Sequence, residues 1–282
     1  MKTNIRKILC AALVLVMLLS LSGCGVGSIF SITKTAKAMS KVESASVNIN
    51  MDMGVEMMGT ELPLSGSADV DFTVDPFRAE INLDLPEQLD NGSFDIPLYT
   101  EYIDGKQAVY YGAKLNDTVI WTANTTELEI PEGELKLDFK TALGMYIKLS
   151  DGFEKVGSEK YGSFDSTHYR GTIPEKVINE IVAQNGDGLT VGEVKLSTED
   201  LAKMFGDMTI DFWIDNDSAR IVGLSIDMTK AMETALELVS GDIPTAQLFS
   251  IKKWTITLSF TDFNHIDVIE IPEEARAALK SK

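Results

Sequence analysis

Residues 46–57 read SVNINMDMGVEM and alternate almost without error. Val47, Ile49, Met51, Met53, Val55 and Met57 take one parity, and Asn48, Asn50, Asp52, Gly54 and Glu56 take the other. Successive side chains of a strand point to opposite sides, so a period of two predicts a strand with one dry face and one wet face. Met51, Met53, Met57 and Met58 crowd into this one stretch. Methionine is flexible and polarizable, and it fills irregular apolar volume more readily than a tightly matched core. The dry face meets either a filled core or the wall of a cavity. Composition alone is compatible with both.

The alternation continues outward. Leu62, Leu64, Ala68, Val70, Phe72 and Val74 oppose Ser65, Ser67, Asp69, Asp71 and Thr73. After Asp75-Pro76, the residues Phe77, Ala79, Ile81, Leu83 and Leu85 oppose Arg78, Glu80, Asn82 and Asp84. Short turns between such runs predict antiparallel neighbours. Residues 98–103, 106–113 and 119–123 extend the meander, with Asp104-Gly105 and Asn116-Asp117 as turn signals. Further strands are expected over 153–159, 165–172, 208–214, 221–228 and around Trp254, Ile256, Leu258 and Phe260. Helical spacing or capping signals predict helices over 29–42, 135–149, 174–184 and 229–239, and others starting at Ser197 and at Pro272.

The amino terminus sets the address. Lys2, Arg6 and Lys7 precede an apolar run over 8–21, which is shorter than the roughly 20 residues of a spanning helix and reads as a signal sequence. The run ends in Leu21-Ser22-Gly23-Cys24, which resembles the bacterial lipobox. That resemblance implies lipidation of Cys24 and removal of residues 1–23. The product would be anchored at the extracytoplasmic face of a bacterial cell membrane, with 24–28 as an acylated tether. A diacyl anchor plus an amide-linked chain buries many methylenes at about 0.8 kcal/mol each, so attachment is durable. Cys10 leaves with the signal, and the mature domain holds no disulfide. No break in composition divides 29–282, so one domain is expected there.

Charge excludes other classes. Three of the 25 basic residues lie in the signal and none of the 43 acidic ones do, which leaves 22 against 43 and a mature net charge of −21. Nucleic acid needs a basic footprint, and anionic headgroups repel an acidic surface. Membrane contact is therefore expected through the acyl anchor alone.

Chemistry is sparse. His168 and His265 have no partner at metal-ligand spacing, and no nucleophile elbow or phosphate-cradling loop occurs. Asp211, Asp215 and Asp217 imitate calcium ligands, but Trp213 breaks the spacing, so a plain turn is expected. His168 is expected to be a structural histidine in an alternating strand. Neither enzyme activity, cofactor nor metal is expected.

Three short stretches carry a resemblance. Thr167-His168-Tyr169-Arg170-Gly171-Thr172-Ile173-Pro174 is one. Asp211-Phe212-Trp213-Ile214-Asp215 with Arg220-Ile221-Val222-Gly223-Leu224 is the second, and Phe260-Thr261-Asp262-Phe263-Asn264 with Ile269-Glu270-Ile271-Pro272 is the third. In order and spacing they resemble LppX/LprG-type lipoproteins of the LolA/LolB-like carrier superfamily. The resemblance implies an α+β fold: a single long curved antiparallel β-sheet (an incomplete β-barrel) with helices covering its concave apolar face. It also implies a lipid or lipidated ligand in an apolar cavity, and transport or presentation without catalysis. Tyr169, Gly171, Thr172, Trp213 and Asp215 match framework positions. The expected cavity lining is Val47, Ile49, Met51, Met53, Val55, Met57, Val70, Phe72, Ile81, Leu83, Ile210, Phe212, Trp254 and Ile256. The competing reading is a non-catalytic envelope interaction or sensor module, with a filled core and an acidic face for a protein partner.

Overall fold

The computed structural model describes residues 29–84, 96–103, 106–115, 118–126, 152–172, 189–191, 194–196, 199, 208–240 and 249–280. The signal, Cys24, the turns at 104–105 and 116–117, and the helices expected over 135–149 and 174–184 lie outside them; of the helix expected from Ser197, only Glu199 is described. In chain order the elements are α1 (Ile29–Met39), β1 (Ser44–Met57), β2 (Thr60–Val74), β3 (Phe77–Asp84), β4 (Leu98–Ile103), β5 (Lys106–Leu115) and β6 (Thr118–Thr126). There follow β7 (Phe153–Tyr161), β8 (Phe164–Thr172), the short pair β9 (Leu189–Val191) and β10 (Val194–Leu196), β11 (Thr209–Asp215) and β12 (Ile221–Asp227). Helix α2 (Thr229–Ser240), β13 (Phe249–Thr261) and α3 (Glu273–Lys280) complete the described chain.

Eleven strands form one open antiparallel sheet in the order β6-β5-β4-β3-β2-β1-β13-β12-β11-β8-β7, and β9 pairs with β10 separately. The alternating stretch quoted first is β1. It turns into β2 through Met58 and Gly59, both at positive φ (53° and 79°), a two-residue loop whose twist matches that of the strands it joins. Only glycine takes the second of those positions without steric cost.

The chain divides into two compact units, each made of three segments. The first holds 1–40, 52–63 and 139–257, and the second holds 41–51, 64–138 and 258–282.

In the second unit, directly paired residues share a face. Val70 pairs with Ile81, Phe72 with Ala79, Ala79 with Thr100, and Thr100 with Val109. The side chains of Ser46 and Asn48 donate to Asp71 and Asp69, which puts Val47 and Ile49 beside Val70 and Phe72 on the opposite face. This is the dry face the alternation predicts. Helix α3, however, packs on the other one: Ile271 and Ala275 are buried against Ala108, Tyr110 and Ala123. The polarity of that face changes along the sheet. It carries Arg78 and Glu80 on β3, but Tyr99, Ala108, Tyr110, Trp121 and Ala123 on β4–β6. Those apolar groups seat the helix, so α3 does not cover the Val47–Val70 face.

In the first unit, Phe212 pairs with Tyr169 and with Leu224, and Ile210 pairs with Ile226 and with Gly171. The Phe212 ring lies 5.2 Å from those of both Phe153 (edge-on) and Tyr169 (stacked). Such aromatic pairs add about 0.5–1.5 kcal/mol each beyond their burial. The Asp227 carboxylate accepts from Thr229 N–H at 2.9 Å and caps the start of α2. The Met228 N–H donates to Trp254 O and the Trp254 N–H to Thr229 Oγ1, tying that start to β13.

Candidate functional site

The expected lining residues fall into two sets, one in each unit. In the second unit Val47, Ile49, Val70 and Ile81 are buried, while Met51, Phe72 and Leu83 are half-buried. Their face continues through Thr100 and Val109 to Tyr111 and Ile120, and it opens as it goes. Tyr111 is 39% exposed and Ile120 49%. The apolar surface is thus confined to β1–β3, because on β4–β6 the same face also carries Thr100, Gln107, Thr122 and Asn124. In the first unit Ile210, Phe212, Trp254, Ile256 and Val55 are buried, and Met53 is half-buried. Met57, beside the hairpin turn, is 38% exposed.

Trp254 is placed by its neighbours. Asp211 pairs with Ser225, whose hydroxyl meets that of Thr257 at 3.4 Å. Thr257 therefore lies on the Asp211–Trp213 side, and Trp254 and Ile256 lie with Phe212 on the apolar side. The indole Nε1–H of Trp254 is buried and has no hydrogen-bond partner.

The wet side of the first unit carries a dense polar cluster. His168 Nε2 lies 2.6 Å from Asp211 Oδ1, and His168 Nδ1 lies 3.1 Å from Glu159 Oε1. Arg170 donates to Asp211 through Nε at 2.7 Å and Nη2 at 3.3 Å. The hydrogen bond and charge of Asp211 push the Arg170 guanidinium above its ordinary value. Trp213 Nε1 donates to Glu159 at 2.6 Å, and the Trp213 ring is stacked between Tyr161 (4.5 Å) and His168 (4.6 Å). Both carboxylates are engaged by donors from neighbouring strands, and both Trp213 faces are covered. Within this cluster there is no activated nucleophile, and among the described residues no group of three or more metal-ligating side chains is arranged around a cation. The cluster fastens β7, β8 and β11 together, and His168 is the structural histidine expected. Asp215 accepts from Ser218 N–H (2.9 Å) and Ser218 Oγ (2.6 Å), which makes it the anchor of a turn.

Sequence reasoning missed a second cluster, in the second unit. Glu101, buried on β4, accepts from Arg276 on α3 (Nε 3.1 Å, Nη2 2.9 Å) and from the Tyr110 hydroxyl (2.9 Å). Arg78 Nε lies 3.4 Å from Glu101 Oε2, close enough for an ion pair, yet too poorly aligned for a hydrogen bond. Burial by itself would raise the carboxyl pKa. The hydrogen bonds from Arg276 and Tyr110, with the charges of Arg276 and Arg78, outweigh it and hold Glu101 below its ordinary value. Burial and the Glu101 hydrogen bond push the Tyr110 phenol the other way. Arg276 engages both carboxylate oxygens and Tyr110 adds a bond to Oε1, so the arrangement fastens α3 to the sheet.

No family model matches the chain, and no curated protein matches it. Among solved structures it is similar to the lipoprotein LppX of Mycobacterium tuberculosis, at 16% identity and a TM-score of 0.44 over 86% of this chain and 97% of that one. It is also similar to LprF from Mycobacterium bovis (13% identity, TM-score 0.43, 86% and 96% covered). A LolA superfamily protein from Nitrosomonas europaea matches at 8% identity and a TM-score of 0.23, with 87% and 96% covered. LppX and the LolA superfamily are the groups named by the resemblance of the sequence motifs.

Proposed function

We propose that this protein is a membrane-anchored lipoprotein that binds a hydrophobic ligand, a lipid, lipoglycan or acyl chain, in an apolar cavity. It would carry or present that ligand across the envelope without catalysing a reaction. The observation that supports this reading is the apolar face of β1–β3 in the second unit, buried at Val47, Ile49, Val70 and Ile81 and half-buried at Met51, Phe72 and Leu83. Helix α3 packs on the reverse side. An acyl chain entering along such a face is transferred from water to apolar surface and needs few polar contacts. The acidic balance of the chain fits a carrier that meets anionic membrane surfaces only through its anchor.

Two measurements test it. Native mass spectrometry of the protein after gentle extraction is expected to find co-purified acyl lipid; a bare protein mass from several hosts would sink the cavity. For the anchor, Cys24→Ser is expected to move the protein from the membrane fraction to the soluble exported fraction. Unchanged membrane retention of that variant would refute lipidation at Cys24.

A further inference from the structure

Buried side-chain polar atoms without a partner are unusual in folded proteins, and each calls for an explanation. Among the described residues there are four: Thr35 Oγ1, Arg78 Nε, Ser250 Oγ and Trp254 Nε1. Arg78 faces the Glu101 carboxylate. The other three all belong to the first unit. Thr35 is fully buried on α1, and its hydroxyl does not make the bond back to the preceding helical turn that threonine commonly makes there. Trp254 is 5% exposed. Its ring belongs to the apolar side with Phe212 and Ile256, where no carboxylate or carbonyl takes the indole proton. Trp213 provides the contrast, since its indole N–H donates to Glu159.

We propose that the Trp254 indole N–H is the polar anchor for the ligand: it donates a hydrogen bond to an oxygen of an otherwise apolar molecule, an acyl carboxylate or ester carbonyl. This rests on the ligand-binding reading above and narrows it. A pure hydrocarbon leaves the N–H unsatisfied, whereas an acyl oxygen supplies the missing acceptor at the one end of the chain that has one. An indole donates and never accepts, so the partner is an acceptor oxygen and not an ammonium or amide N–H. The same donor fixes the direction in which a chain lies, since its oxygen end stays at Trp254 and its methyl end elsewhere on the apolar side of the first unit, with Phe212 and Ile256. The hydroxyl of Thr35, which donates and accepts, is a second unmet polar atom within the same unit.

The full-length protein, stripped of lipid, is titrated with palmitate, methyl palmitate and hexadecane, and the indole N–H resonances are followed by 15N NMR. Trp254 is identified with the single variants Trp121→Phe and Trp213→Phe. Palmitate and methyl palmitate are expected to shift the Trp254 resonance downfield while hexadecane does not. Trp254→Phe is expected to weaken the two oxygen-bearing ligands about fivefold, the scale of one hydrogen bond, and to leave hexadecane unchanged. Equal weakening of all three, or a Trp254 resonance that does not move at saturation with either oxygen-bearing ligand, overturns the anchor. The wild-type resonance decides this even if Trp254→Phe fails to fold. A response to only one of palmitate and methyl palmitate identifies acid or ester as the natural form. Saturable binding of palmitate and methyl palmitate with no response at Trp254 sinks the anchor and spares the carrier; binding of none of the three removes both.

Discussion

Glu101→Leu is expected to destabilise the protein by about 3 kcal/mol, read as a lowered urea midpoint, because it removes one partner of a buried ion pair. Leucine leaves the guanidiniums of Arg78 and Arg276 and the hydroxyl of Tyr110 in a site built for an anion. Glu101→Gln keeps an acceptor for Tyr110 and costs less. Arg276→Met costs least of the three, since the Arg276 side chain is already part-exposed and its loss still leaves Arg78 beside the carboxylate. An exposed ion pair would give under about 1 kcal/mol for any of these changes. A Glu101→Leu midpoint within that smaller range would show that the cluster does not hold α3.

Acidity probes the same group independently. The folded Glu101 carboxyl lies below the ordinary glutamate value of 4.5, so the folded state takes up its proton less readily than the unfolded chain does. Its contribution is therefore complete above about pH 4.5, falls as the pH drops below that value, and is gone once the folded carboxyl is itself protonated. The difference in unfolding free energy between wild type and Glu101→Gln should be level above about pH 5 and shrink below 4.5. A difference that grows on acidification would have the wrong sign for this assignment.

That cluster also marks where the sequence stops being readable. The alternation of β1, β2 and β3 gives their faces directly, because each residue's neighbours two positions away carry the same polarity. The start of α3 is equally plain, with Pro272 followed by two acidic residues in the first turn. The side of the sheet on which α3 sits is another matter. It depends on Tyr99, Ala108, Tyr110 and Ala123 forming one patch, and nothing in a list of ordinary residues reports that patch before the register is known. Glu101 and Arg276 are 175 positions apart, and each alone looks like one more charge in a chain of many. The orphaned Trp254 N–H is hidden for the converse reason. Sequence puts an indole on an apolar strand face, and only the arranged neighbours reveal that none of them accepts from it. Framework glycines fall between these cases: Gly171 stands out in a motif, while its reason is purely spatial.

Gly171→Ala is expected to cost about 3 kcal/mol, and the argument is steric. A Cβ at Gly171 would lie 1.9 Å from Gly152 O, 2.7 Å from Phe153 Cα and 2.8 Å from Gly152 C. All three are backbone atoms, so no rotamer change relieves the clash and β7 itself must move from β8. Thr172 N–H donates to the same Gly152 oxygen at 3.1 Å, and moving β7 stretches that bond, worth about 1 kcal/mol. It also pulls Phe153 off Phe212, forfeiting about 0.5–1.5 kcal/mol of edge-on contact. Overpacking of this kind adds typically 1–3 kcal/mol of its own. Gly157→Ala is the matched control on β7. Nothing lies within 4 Å of a Cβ there, so a surface effect within about 0.5 kcal/mol is expected. A general dislike of alanine in this hairpin would lower both urea midpoints alike. A drop confined to Gly171→Ala places the constraint at the contact between the Gly152 carbonyl and Gly171, where β7 closes onto the sheet over Phe212.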